Sequence, residues 1–202
     1  MSSINNLTDK TQTSGVLTFA FGSEYQTQAL CQALTLRKSL GMELTAVVGE
    51  HDTVDKRLEK VANIKALKGT FSRFEYEQHA LDLTPYDITF KTDADLLFPG
   101  GSSLYHPEQL PITSGVATDI RGAISQNTDY RLVESSLGCP TIYSACFSFR
   151  RDHAKTIEFF DTIKSLFRDW YRLKLWRGQN LVLKPTTDSV YSIAWLKVFG
   201  TA

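Results

Sequence analysis

The sequence predicts an α/β fold, a single domain with a mostly parallel central sheet flanked by helices. Three observations carry this expectation. Short apolar runs punctuated by glycine alternate with stretches of helical periodicity. The connections between them are short, which favours strand–helix–strand units. Two carboxylates stand directly after one apolar run, where open sheets of this class bind their ligands.

Residues 15–22 (GVLTFAFG) read as a buried first strand. Over residues 25–40, Ala29, Leu30, Ala33, Leu34, Leu36 and Leu40 recur at helical spacing, and Gly41 supplies the stop. Residues 43–49 form a second buried strand. Residues 53–67 read as a charged helix with Val54, Leu58, Val61, Ile64 and Leu67 on one face. A third strand is expected at 71–76, a turn at 82–86, and a fourth strand at 87–92 that runs into Asp93-Ala94-Asp95. Residues 100–131 are rich in Gly, Ser, Thr and Pro and read as loops with short strands. A strand at 141–149 and helices at 153–176 and 188–199 complete the chain. No internal repeat or low-complexity linker divides it. Residues 15–202 are therefore read as one domain, and the polar residues 1–14 as a flexible leader.

The bulk composition narrows the class. With 202 residues, 42% apolar and 22% charged, the chain can bury one sizeable core. A disordered tail, a collagenous chain and a disulfide-stapled mini-protein are excluded. Basic and acidic side chains balance at 22 each, but unevenly: residues 1–149 hold 12 basic and 17 acidic groups, residues 150–202 hold 10 and 5. Such a split marks either two faces of one domain or a surface that meets a polyanion. No stretch approaches the roughly 18–20 apolar residues of a membrane span, and the start lacks the apolar core of a secretory signal. Cys31, Cys139 and Cys146 form neither an even set nor a CxxC pair, which fits free thiols in a reducing cytoplasm. The GxGxxG, GxxxxGK[ST] and GxSxG patterns are absent, and the four histidines show no zinc spacing.

The sharpest feature is Asp93-Ala94-Asp95. In an extended segment residues i and i+2 point the same way, so both carboxylates can converge on one hard cation. Oxygen ligands suit Mg²⁺ or Mn²⁺, which complete their shell with water and phosphate oxygens. The bland reading is a solvated turn after a strand. Against it, the pair lies between DITFKT and the apolar Leu96-Leu97-Phe98, and buried carboxylates need an offset from a cation or from a base such as Lys91.

At these residues the sequence resembles the GT-A glycosyltransferases, in particular the glycogenin-like and galactosyltransferase-like retaining enzymes. The resemblance runs from about residue 15 through most of the chain. It is carried by Leu17-Thr18-Phe19 with Tyr25, by 86–95 with its DxD, by 143–149 (YSACFSF) and by Thr187-Asp188-Ser189. It implies a GT-A-like domain that binds a nucleotide-diphosphate sugar, most simply a UDP-sugar, with Mn²⁺ or Mg²⁺. Base and ribose would meet Thr18, Phe19 and Tyr25, with Ala94 beside them. Asp93 would touch ribose or metal, Asp95 would be the firmer metal ligand, and Asp188 would contact donor sugar or acceptor. Lys91 or Arg121 would help neutralise phosphate. Two of these residues have equally plain structural readings, Tyr25 as an aromatic packing on the sheet and Asp188 as a helix cap. The chain also departs from the family. Tyr143-Ser144-Ala145 stands where Asn-Ser-Gly is usual, Asp188-Ser189 stands where Asp-Gln is usual, and no histidine follows His153.

The helix expected at 153–176 interleaves Lys155, Lys164, Arg168, Arg172 and Lys174 with aromatic residues, while Ile157, Phe160, Ile163, Phe167 and Trp170 step by three or four. This describes either a packing helix with a solvated basic face or a platform for a polyanionic acceptor. The function expected is therefore metal-dependent transfer of a hexosyl or pentosyl group from a nucleotide sugar to a hydroxyl acceptor. That acceptor is a saccharide or, in the second reading, a hydroxymethylated base in phage-type DNA. A nucleotidyltransferase and a non-catalytic sugar-nucleotide-binding module are the competing classes.

Overall fold

A computed structural model of the chain describes residues 12–71, 75–102, 112–114, 142, 144–173 and 187–200. The elements in chain order are β1 (Ser14–Phe19), α1 (Gly22–Leu40), β2 (Leu44–Gly49), β3 (Asn63–Leu67), a 3₁₀ turn (Glu75–His79) leading into the short α2 (Ala80–Leu83), β4 (Ile88–Asp93), β5 (Ile112–Ser114), β6 (Cys146–Arg150), α3 (Ala154–Leu173) and α4 (Thr187–Phe199).

The strands form one sheet in the order β3-β2-β1-β4-β6-β5. β3, β2, β1 and β4 are parallel, and β6 runs antiparallel to both β4 and β5. Five strands thus share one direction and β6 is reversed. Successive residues of β1 are buried on opposite faces, Val16 against α1 and Leu17 against α3 and α4, because helices cover both sides of the sheet. The α1 side is built from small and aliphatic residues such as Ala29, Ala33, Leu36 and Ala46. The other side is aromatic: Phe147, Phe149, Phe159, Phe160 and Tyr191 pack edge to face.

Local chemistry explains the boundaries. Gly41 adopts the left-handed conformation (φ 66°) and donates its N–H to the Arg37 carbonyl, closing α1. The start of α1 lacks a side-chain cap at Phe21, and Asp52 serves from a distance. Its Oδ2 accepts the N–H of Gly22 at 3.0 Å and that of Gly49 at 2.9 Å, tying the helix to the end of β2. Gly15 is needed for packing, since a Cβ there would overlap the ring of Tyr86.

The expected helix over 53–67 does not form. Leu58 is buried within turns at 56–61, and Asn63–Leu67 instead pairs in parallel with β2. Ladder bonds to an existing strand outweigh the helical spacing of the apolar residues. With that place in the sheet filled, no strand forms at 75–76, where the 3₁₀ turn begins, and the rest of the expected strand at 71–76 includes residues outside those described. Of the described residues in the expected strand at 141–149, Ile142, Ser144 and Ala145 are not in the ladder, and β6 runs from Cys146 to Arg150, one residue beyond the expected end. Ile157, assigned by its spacing to the packed face of α3, is 44% exposed. Ser14, placed in the leader by sequence, already belongs to β1. Arg121, Tyr143 and Lys174 lie outside the described residues.

Candidate active site

The C-terminal ends of β1 and β4 lie side by side, with Phe19 in register with Asp93. A cleft of about 400 Å³ opens there, lined by Phe19, Phe21, Tyr25, Tyr76, Glu77, Asp93, Ala94 and Asp95. Five of the residues named from sequence therefore meet: Phe19, Tyr25, Asp93, Ala94 and Asp95. Asp93 ends β4 and Asp95 sits in the turn that follows, so the two carboxylates come from different local conformations.

The turn is held from both sides. On the α1 side, buried Gln32 donates through Nε2 to the Asp93 carbonyl at 2.8 Å, the Leu96 carbonyl at 3.0 Å and Thr92 Oγ1 at 3.1 Å. Two helical turns on, Ser39 Oγ donates to the Phe98 carbonyl at 2.7 Å. On the opposite side, Lys91 is 1% exposed and its Nζ reaches Glu77 Oε2 at 2.6 Å, Ser144 O at 2.8 Å and Asp93 Oδ1 at 3.0 Å. The carboxylate pair is not enclosed as its apolar neighbours suggested. The Asp93 side chain is 45% exposed, Asp95 is exposed, and Leu97 is exposed as well.

The other expected residues take supporting places. Thr18 is fully buried and its hydroxyl donates to the Thr92 carbonyl at 3.0 Å, joining β1 to β4. Its side chain lies in the same row as Val16, and Thr18 is not among the residues lining the cleft. Asp188, in the first turn of α4, is 8% exposed. Its Oδ1 accepts from Ser144 N at 2.9 Å and from Ser144 Oγ at 2.6 Å. Ser144 in turn offers its carbonyl to Lys91, so Asp188, Ser144, Lys91 and Asp93 form one connected network. Lys91 itself stands behind the cleft wall.

Electrostatics follow from this burial. Desolvation pushes the Glu77 carboxyl up to about 7 against the opposing pull of Lys91. For Lys91, burial favours the neutral amine, but the Glu77 and Asp93 carboxylates outweigh it and hold the ammonium above the ordinary lysine value. Burial, with the charge of Glu77, raises Tyr76 to about 12, which keeps its phenol neutral. Sequence reasoning missed Glu77, Tyr76 and Phe21. The available signal was Lys91 itself, a lysine between Leu17 and Phe147 in a buried sheet, which requires a buried counter-ion. Among the described residues no three His, Cys, Asp or Glu side chains gather into a metal-binding group.

No protein-family model and no curated protein matches this sequence. Among solved structures the chain is similar to the glycosyltransferase GlyE of Streptococcus pneumoniae TIGR4. The apo form matches with a TM-score of 0.55 at 11% identity over 94% of this chain, and a second GlyE structure with 0.54 at 10% over 92%. The fold is glycosyltransferase-like. The chain spans less than half the length of these neighbours, 45% and 44%, and at such identity the likeness concerns the fold rather than individual residues.

Proposed function

We propose that the cleft binds a nucleoside-diphosphate sugar, with uridine as the nucleoside, and that the chain transfers the sugar to a hydroxyl acceptor in the manner of a GT-A glycosyltransferase. One observation carries this reading: Asp93 and Asp95 share a cleft with four aromatic side chains at the C-terminal edge of parallel strands. Aromatic faces suit a nucleobase, and Tyr25, half exposed at the start of α1, is the ring offered to it.

The carboxylates fit Mg²⁺ or Mn²⁺. Such an ion takes one or two carboxylates and completes its shell with water and phosphate oxygens. Lys91 engages only Oδ1 of Asp93, and Asp95 is exposed to the cleft. When bound, the ion would neutralise charge on the diphosphate. Phe19, Phe21 and Tyr76 form an aromatic wall, with Phe21 and Tyr76 rings 4.6 Å apart, that orients the nucleotide and keeps water from it. In the transfer itself the anomeric carbon–oxygen bond breaks, its electron pair leaves with the diphosphate, and the acceptor oxygen bonds to the carbon as its proton passes to water.

The described cations of α3 favour a saccharide acceptor over DNA. Lys164 pairs with Asp82 at 2.8 Å, Lys155 with Glu158 at 2.8 Å, and Arg168 and Arg172 share Asp169, so each of these four cations already faces a carboxylate of the chain. The free thiols Cys31 and Cys146 agree with a cytoplasmic setting.

The test is to incubate the protein with a panel of nucleotide sugars, with and without Mn²⁺, and to assay the nucleotide released. Metal-dependent release of nucleoside diphosphate is expected. Pyrophosphate released from nucleoside triphosphates would indicate a nucleotidyltransferase instead. Absence of both turnover and metal-dependent binding would leave a module without this activity.

A further inference from the structure

A lysine in the middle of a buried strand is unusual enough to require a reason. Lys91 projects from β4 in the same row as Leu17 of β1 and Phe147 of β6, against the aromatic layer. The ammonium donates to Asp93 Oδ1 and to the Ser144 carbonyl, and its nitrogen forms an ion pair with Glu77 Oε2 at 2.6 Å. At 1% exposure the Lys91 ammonium does not line the cleft and meets it only through the lining carboxylates Glu77 and Asp93. Well-packed apolar residues in place of such a buried pair commonly leave a protein as stable or more so, so stability alone is a weak reason for the pair.

We infer that Lys91, seated on Glu77 and Ser144, is a positioning residue that ties up one oxygen of Asp93 and leaves the other as the single oxygen offered to a cation in the cleft. The inference rests on the donor-site reading above and deepens it. Glu77 balances the charge that would otherwise draw Asp93 fully inward. Ser144 is itself fixed by Asp188, so α4 acts on Asp93 through Ser144 and Lys91. Gln32 fixes the backbone of the same residue from the other face of the sheet. The backbone and one carboxylate oxygen of Asp93 are thus restrained before any ligand arrives.

The experiment compares Mn²⁺ affinity in the presence of UDP, by calorimetry and by the Mn²⁺ electron paramagnetic resonance signal, in the parent, Asp93→Ala and Lys91→Met/Glu77→Met. The double variant removes both charges together and strands neither. Binding is expected in the parent and lost in Asp93→Ala. In the double variant it should weaken about tenfold, the scale seen when the partner of a metal ligand is removed, with the melting temperature unchanged or raised. A folded double variant that binds as tightly as the parent overturns the inference and leaves the donor site standing. A parent that does not bind Mn²⁺ with UDP overturns the donor-site reading and this inference with it.

Should the methionine pair fail to fold, Lys91→Gln/Glu77→Gln keeps polar side chains at both positions, and parent-like affinity there is equally contrary. A further arm keeps Lys91 and Glu77 intact. In Asp95→Asn protein labelled with ¹³C-aspartate, the infrared carboxylate stretches on adding Mn²⁺ and UDP should show the wide splitting of one-oxygen coordination. The narrow splitting of two-oxygen coordination overturns the inference.

Discussion

Glu77 shows how burial turns an ordinary side chain into a pH-sensitive one. Its carboxyl is pushed up to about 7, above the usual glutamate value of 4.5, so between these values the folded chain keeps a proton that the unfolded chain has released, and above them Glu77 faces Lys91 as the carboxylate. Stability therefore falls as pH rises from about 4.5 to about 7. Melting temperatures across that window should show this slope in the parent and lose it in Glu77→Gln, whose amide does not titrate. A parent that gains stability over Glu77→Gln as pH rises through the window contradicts the assignment. At this scale the site was half legible in sequence. The DxD spacing pointed to the cleft because it is a local signal, and Tyr25 came with the family resemblance. Glu77 was hidden because its role depends on Lys91, 14 positions further along the chain and on another element. Asp188 and Thr18 were noticed as residues, but their partners, Ser144 and the Thr92 carbonyl, exist only once strands and helices have been brought together.

Among the elements, α1 does more than cover the sheet. Through Gln32 and Ser39 it carries the carbonyls of the turn that presents Asp93 and Asp95. Gln32→Leu leaves those acceptors without their donor, and a loss of about 1–3 kcal/mol in chemical denaturation is expected. Amide exchange should quicken at 93–98 before it does elsewhere in β4; uniform exchange would argue against a local clamp. In β1, Gly15→Ala forces a methyl into the ring of Tyr86, whose hydroxyl accepts from Thr45 Oγ1 at 3.0 Å. A loss of about 1–3 kcal/mol is expected from this overpacking, and an unchanged denaturation midpoint would contradict it. The elements legible from sequence were those whose pattern and environment agreed: the glycine-bounded apolar strands β1 and β2, and the long α3 and α4. Residues 53–67 misled because their helical spacing of apolar side chains was overridden by pairing with the edge of β2. Nothing within 53–67 records that neighbouring strand.

For the whole molecule, the functional reading depends on topology more than on composition. β1 and β4 are distant in sequence but adjacent in the sheet, and their parallel ends create the cleft edge on which Phe19 and Asp93 stand together. The two core layers lock that edge, α1 on one side and α3 with α4 on the other. Among the described residues no helix is long and apolar enough to cross a membrane. Of the basic residues behind the charge asymmetry, Lys155, Arg168 and Arg172 pair with carboxylates of α3, and Lys164 pairs with Asp82 of α2. What remains distinctive is the carboxylate pair with its aromatic wall, and the proposed donor site stands or falls there. The most direct measurement is the Mn²⁺-dependent release of nucleoside diphosphate from the preferred nucleotide sugar by the parent and by Asp93→Asn/Asp95→Asn. Both asparagines keep the size of the side chains they replace. A rate at least about 100-fold lower in the double variant, equivalent to about 2.7 kcal/mol of barrier, with an unchanged melting temperature, is the expected result. Equal rates in the two proteins would contradict the assignment of these carboxylates to the donor site.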